Sequence, residues 1–499
     1  MDGATFGSNS TTTFTLNSDG NLTESFIQSS GSIVVENGAS FHVTTLPGIN
    51  ITWNPGNPME LSLMELTGTG DITLGDNTLT VGGLFLTYYK NAHLVHEGNK
   101  ILLKAEEQTD NPYAALADTA NSLAGANLVW GAARSGQVDQ YLTGFLSAIN
   151  DDLINNPGAV SRKMAAAAGS TVTSLSMAQR DALRDQMSWL RNRTNQMGVN
   201  PAYINEDLPY FHMWMQGTGS YAQLDTKGDE SGYKLTTWGG TFGVDVDLSD
   251  SFTLGAAFTA NYGDLTASAA DTADGHLDSY YANLFGRYQS KRWAHTLILT
   301  GGWNDAKLNR TVDYGAGSYR TEGNTNGWGL GAMYELTYDI YLNENKSSIL
   351  QPLFNASVVT TRMDGYRETG AGSMGLNVDK QELTTGTLAL GGRWMGLVGS
   401  NLFGREALVE LRVNAAQDLG DDRGETAVGF LANPGYTQQV RGAKVGRTAL
   451  QIGAGLSVPV GTQGTIFVNG NADIRNGARS EEHTSELQSP NNLVCRLLL

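Results

Sequence analysis

From Trp238 to Leu248, apolar and polar positions alternate with a period of two. Trp238, Gly240, Phe242, Val244, Val246 and Leu248 fall on one face, and Thr237, Gly239, Thr241, Gly243, Asp245 and Asp247 on the other. That period is the mark of a strand. It recurs to about residue 475. Val409, Leu411, Val413 and Ala415 oppose Glu410, Arg412 and Asn414; Ile466, Val468, Gly470, Ala472 and Ile474 oppose Asn469, Asn471, Asp473 and Arg475. Strands in soluble sheets are about 5–6 residues long. These run to about 10–14, the length a tilted strand needs to cross a bilayer. With the apolar face outward and the charged face inward, the pattern predicts an all-β membrane barrel.

About eleven such strands begin near Met213, Tyr233, Phe252, Leu277, Trp293, Tyr319, Ile349, Val378, Ala407, Thr448 and Thr465. Short turns at 248–251 and 288–291 alternate with long polar stretches at 267–275, 365–376 and 418–442, as in bacterial barrels with short turns on one side and long loops on the other. Trp293 and Trp303 bracket Leu297, Leu299 and Gly301 on one face. With Trp238 and Trp394 they are the candidates for aromatic girdles at the two membrane interfaces.

Upstream the pattern changes twice. Residues 1–110 hold short alternating runs, of which 31–43 (GSIVVENGASFHV) and 70–81 (GDITLGDNTLTV) read as two copies of one unit. Such repeats predict rungs of a parallel β-helix, with a β-sandwich as the alternative. Residues 111–205 read as a helical linker, and 176–197 (SMAQRDALRDQMSWLRNRTNQM) is its clearest helix. Leu183, Met187, Leu190 and Met197 share one stripe and Arg180, Arg184 and Arg191 an adjacent one. Some 22 residues at about 1.5 Å each span about 33 Å, one bilayer thickness. A polar helix of that length placed directly before a barrel is expected inside the pore, with its arginines toward inward acids such as Asp245 and Asp247. Glu410 and Arg412, two apart on an inward face, read as a lumen ion pair.

Composition narrows the options. A formal net charge of −18 argues against nucleic acid, whose binders supply cations to displace counterions. No apolar run is long enough for a membrane helix. The N-terminus has neither the basic nor the apolar region of a secretory signal, so the sequence reads as the C-terminal piece of a longer precursor. The single cysteine, Cys495, permits no disulfide framework.

At several points the chain resembles the translocator domain of an autotransporter (type V secretion), over about residues 176–476. The family's order of helix and then first-strand Trp is met by Trp189 to Arg193 followed by Met213-Trp214. Its second strand is met by Trp238-Gly239 and Gly243-Val244-Asp245. Its turn and third strand are met by Leu248-Ser249-Asp250 and Leu254-Gly255. Its fourth and fifth strands are met by Ser279-Tyr280, Phe285-Gly286 to Tyr288, and Trp293. The resemblance implies a twelve-strand barrel at 206–479, a linker helix in its pore and a passenger upstream. It also implies export and surface anchoring of that passenger in the Gram-negative outer membrane. The implied partners are outer membrane lipid, the barrel-assembly machinery and the chain's own passenger, the protein being a monomer.

Two departures stand out. Residues 480–499 (SEEHTSELQSPNNLVCRLLL) lack the alternation, so the final strand reads as missing and the tail as a sequence artefact. Some family members cut the linker between paired asparagines; Asn155-Asn156 is present but lies outside the best helix. No P-loop, dinucleotide fingerprint or nucleophile elbow occurs. His93 and His96 would face opposite sides of a strand and share no metal. The chain is therefore expected not to be an enzyme and to need no cofactor. A surface adhesin stem and a plain porin-like channel are the alternative functions.

Overall fold

The computed structural model describes residues 2–16, 25–45, 58–195, 210–399, 406–460 and 464–490. The described residues open with eight short strands: β1 (Ala4–Phe6), β2 (Thr11–Leu16), β3 (Ile27–Ser29), β4 (Ile33–Val35), β5 (Ala39–Thr45), β6 (Met59–Leu66), β7 (Ile72–Leu74) and β8 (Asn77–Val81). They pair in parallel as β1-β4-β7, β2-β5-β8 and β3-β6. The two sequence copies lie one above the other, Ile33 on Ile72 and Phe41 on Leu79. Each rung turns Ile33, Val35, Phe41 or Val43 inward, because no strand of three to seven residues can bury its apolar side without the rung beside it. A short helix α1 (Phe85–Tyr88) leads to the hairpin β9 (Tyr89–Glu97) and β10 (Lys100–Glu107), which extends the β3-β6 sheet.

Four helices follow: α2 (Ala120–Ala133), α3 (Gln140–Asn155), α4 (Pro157–Ala168) and α5 (Ser174–Asn195). Thr119 caps α2 through a capping box, and Asp139 caps α3 by accepting from the Tyr141 and Leu142 amides. Pro157 opens α4, and Gly169 closes it in the left-handed region at φ 73°. A Cβ on Gly169 would also lie 2.8 Å from Leu376 Cδ1, so both backbone and space require glycine. Residues 196–197, the last two of the helix expected from the sequence, lie outside the described residues.

The remaining strands are β11 (Tyr210–Leu224), β12 (Gly232–Ser249), β13 (Phe252–Ser268), β14 (Thr272–Ser290), β15 (Trp293–Asp313), β16 (Ser318–Tyr338), β17 (Ile340–Tyr341), β18 (Ser348–Met363), β19 (Tyr366–Arg367), β20 (Leu376–Val378), β21 (Gln381–Val398), β22 (Ala407–Gly420), β23 (Glu425–Phe430), β24 (Gln438–Arg441), β25 (Thr448–Val460), β26 (Gly464–Arg475) and β27 (Ala478–Pro490). Twelve long ones form a closed antiparallel barrel, with β17 a short continuation of β16. β19, β20, β23 and β24 make a small sheet from the two longest loops.

Closure corrects the expectation that the final strand is missing. β27 pairs with β11 along its whole length and with β26 from Ala478 to Gln488. Sheet pairing is made by the backbone, and two neighbours template a strand that lacks the usual alternation. Residues 491–499 of the tail, with Cys495, lie outside the described residues.

The wall is two-faced at membrane level. On β12, Trp238, Phe242, Val244 and Leu248 are exposed while Thr237, Thr241 and Asp245 are buried. On β15 the outward face reads Trp293, His295, Leu297, Leu299, Gly301, Trp303, then Asp305, Lys307 and Asn309. Ten residues at about 3.4 Å, tilted by about 45°, place the two tryptophans about 24 Å apart, close to the apolar band of an outer membrane barrel. Beyond Trp303 the faces exchange character: Ala306, Leu308 and Val312 turn inward and join the core of the helical linker. Tyr233, Leu235, Leu265, Leu277 and Tyr319 do the same on neighbouring strands. The rim is thus an apolar-lined cup in which α2, α3 and α4 sit, at the end that carries the long loops.

Candidate functional site: the filled lumen

Helix α5 enters the barrel from the cup and runs toward the short-turn end, where β11 begins. Its apolar stripe, Leu183, Met187 and Leu190, packs on Trp214, Ala257, Tyr281, Phe285, Ile298, Met333 and Val359. Its polar groups bond to the wall. Gln179 Nε2 donates to Asn304 Oδ1 (2.8 Å) and to the Trp328 carbonyl (3.0 Å), and Gln186 Nε2 to Thr259 Oγ1 (2.9 Å). Between these apolar contacts the inward positions of β12 to β18 are mostly Thr, Asn and Gly, which is why a helix of negative mean hydropathy is buried nearly throughout.

The arginine stripe divides. Arg184 reaches the wall, donating to Asp418 (2.7 Å) and Thr387 (2.5 Å), and Arg475 also contacts Asp418. Arg180 instead forks onto its neighbour Asp181 (2.9 and 2.7 Å), and Arg191 bonds Ser188 on its own helix. Asp245 is held not by the stripe but by Arg193 (2.7 Å), both side chains being 1% exposed or less, with His212 Nδ1 at 2.9 Å. The reason is rotational: Arg193 follows the apolar stripe onto the β12 side, whereas Arg180, Arg184 and Arg191 face the opposite wall. Asp247 turns to Thr253. Glu410 and Arg412 lie 3.8 Å apart, buried, and Arg412 also donates to Asn192 of the helix (3.1 Å). Beside α5 a cavity of about 90 Å³ lies among these charges, room for a few waters.

A second buried node sits in the cup, where the sequence showed no signal. Arg310 at the end of β15 forks onto Glu368 (2.9 and 2.6 Å) and donates to the Ala166 carbonyl of α4 (3.4 Å). Glu368 also accepts from the Leu376 amide (2.9 Å). Thr171, between α4 and α5, donates to Asp271 in the β13–β14 turn. Burial pushes the Asp271 carboxyl up to about 6, against the pull of Arg310. Asp139 ties α3 to the long loop by accepting from the Ser373 amide (2.8 Å) and hydroxyl (2.6 Å). Burial opposes its ionisation, but those bonds and the helix amides hold it below the usual carboxylate range.

Trp238, Trp293 and Trp303 are exposed on the outer wall. Trp238 lies against Tyr262 (5.1 Å between centroids), Trp293 against Tyr338 (4.8 Å) and Trp303 against Tyr280 (5.6 Å). Trp394 is half-buried, its indole donating to Ser348 (3.0 Å). Asn155-Asn156 is exposed at the end of α3, far along the chain from the lumen. Among the described residues, no cluster of three or more His, Cys, Asp or Glu is placed to hold a metal.

Compared with known proteins, residues 213–471, more than half of the chain, match the family described as Autotransporter beta-domain. The chain belongs to the autotransporter family. It is a barrel of the bacterial outer membrane. Esterase EstA of Pseudomonas aeruginosa is 31% identical over 211 residues, covering 42% of this chain and 31% of the relative. An extracellular serine protease of Serratia marcescens is 27% identical over 181 residues, 36% of this chain and 16% of the relative. The chain thus spans about a third or less of the length of these curated relatives. Among solved structures, the translocator domain of autotransporter NalP from Neisseria meningitidis aligns at a TM-score of 0.45 and 14% identity, covering 62% of this chain and 98% of that one.

One expectation is overturned by these matches. The reading that this autotransporter is not an enzyme rested on motifs absent from 499 residues, whereas relatives sharing the β-domain are named as an esterase and a serine protease. The β-domain carries no signal of what is joined to it, so the missing motifs decided nothing.

Proposed function

We propose that this autotransporter barrel carries its own N-terminal segment across the outer membrane and anchors it at the cell surface, with α5 left in the pore as the connecting plug. The threading of the chain supports this reading most directly. The described residues before α5 sit at the long-loop end, α5 passes through the lumen, and the first barrel strand starts at the short-turn end. The long-loop end is then extracellular, the outward tryptophans are the membrane girdles, and lipid and the barrel-assembly machinery are the partners of a monomer. The names of the relatives favour a hydrolytic passenger in the full-length protein, tested by esterase and protease assays on intact cells.

Deleting residues 174–195 tests the reading. A translocator that is plugged by its linker gains conductance several-fold in planar bilayers; an unchanged conductance favours a porin-like channel and sinks the proposal. Protease added to intact cells should reach the 58–107 region. Protection there would reverse the orientation.

A further inference from the structure

Three glycines on one inward face of β16, Gly327, Gly329 and Gly331, lie opposite three residues of α5 spaced by four: Gln179, Leu183 and Met187. A Cβ on Gly331 would sit 2.6 Å from Met187 Sδ, and one on Gly329 3.0 Å from Leu183 Cδ2. One on Gly327 would sit 2.9 Å from Gln179 Nε2 and 2.5 Å from Met363 Sδ. On β18 the flanking residues at these levels are Val359, Thr361 and Met363; on β15 they are Thr300 beside Gly331 and Asn304 beside Gly327, while beside Gly329 stands Gly302, covered by the Tyr281 ring. The glycines are therefore the floor of a trough. Its floor is bare backbone, which is how Gln179 reaches the Trp328 carbonyl.

The spacings match. Two residues of strand advance about 6.8 Å and four of helix about 6 Å, so three contacts fall into step over the length of the trough. We propose that these glycines are a register rail: they fix the axial position of α5, so that Arg184 meets Asp418 and Arg193 meets Asp245 and the lumen is sealed. A slip by one glycine moves the helix about 6 Å and parts both ion pairs at once. Charge alone does not fix this position, since the lumen offers other carboxylates, among them Asp473, Glu335 and Glu410. The inference rests on α5 being the plug, and its test is separable from that reading.

The experiment uses the full chain with Cys495→Ser and cysteines at 186 and 259, where Gln186 and Thr259 now touch, joined by a short bis-thiol reagent. Gly331→Leu is expected to lower cross-linking and raise bilayer conductance several-fold while the barrel keeps its heat-modifiable migration. Adding Met187→Ala should restore both. If Gly331→Leu does not fold, Met187→Trp, which leaves the wall untouched, should give the same opening. Parent-like conductance and cross-linking in either enlarged variant overturn the rail, as does a double variant that stays open. A silent Gly331→Leu beside a helix deletion that does open the pore condemns the rail and spares the plug.

Discussion

Asp271 shows what a single buried carboxyl does at the mouth of this barrel. Its folded pKa of about 6 stands above the ordinary 3.8, so the native state favours the protonated form. Stability is then fullest below about pH 4, falls as pH rises through the window from 4 to 6, and stays lower above it. Asp271→Asn keeps an acceptor for Thr171 and removes the charge. It should raise stability at pH 7.5 by up to about 3 kcal/mol and change little at pH 4, read as the temperature at which heat-modifiable migration is lost. Asp139 has the opposite sign. Its depressed pKa contributes stability above the usual carboxylate range that fades as pH falls through it. Asp139→Ala, losing a helix cap and the Ser373 bonds, should cost about 1–2 kcal/mol at neutral pH, and a protease should then cut between α2 and α3 sooner. In the lumen, Arg193→Ala leaves Asp245 buried beside His212 without its guanidinium, a loss of about 3–5 kcal/mol, and Asp245→Asn in the same chain should recover part of it.

At the scale of elements, how much the sequence revealed depended on which force set each one. The two-residue alternation from Trp238 to Leu248 was plain because the lipid imposes an apolar outer face and water a polar inner one, position by position. Helix α5 was readable for the same reason, its apolar stripe repeating at helical spacing. Strand β27 was not, because its place is dictated by hydrogen bonds from β26 and β11 rather than by its own side chains. Removing residues 478–490 should therefore leave two unpaired edges and abolish the heat-modifiable barrel, although the segment looks unfit for the task. Pairing between α5 and the wall was also hidden. That Asp245 belongs to Arg193 depends on helix rotation within the pore, and no spacing along the chain encodes it. The node of Arg310, Glu368 and Asp271 joins residues far apart in sequence and left no local trace.

For the whole molecule, one wall works under two solvents. Between Trp293 and Trp303 the outward residues meet lipid; past Trp303 the same strand meets water outside and an apolar linker inside. Strand parity is unbroken while the meaning of each face inverts. The same substitution should thus have three outcomes along β15. Leu299→Lys puts an ammonium near the middle of the apolar band and should cost about 2–4 kcal/mol. Asn309→Lys, outward on the rim, should cost nothing measurable. Leu308→Lys buries a charge in the cup between wall and linker, and the linker yields before the barrel does because it is held by packing while the wall is held by ladder hydrogen bonds. That variant should keep its heat-modifiable migration yet lose protease resistance over residues 114–173. If Leu308→Lys left the linker protected, the cup would not be what seats it, and the inversion of the two faces would carry no structural consequence.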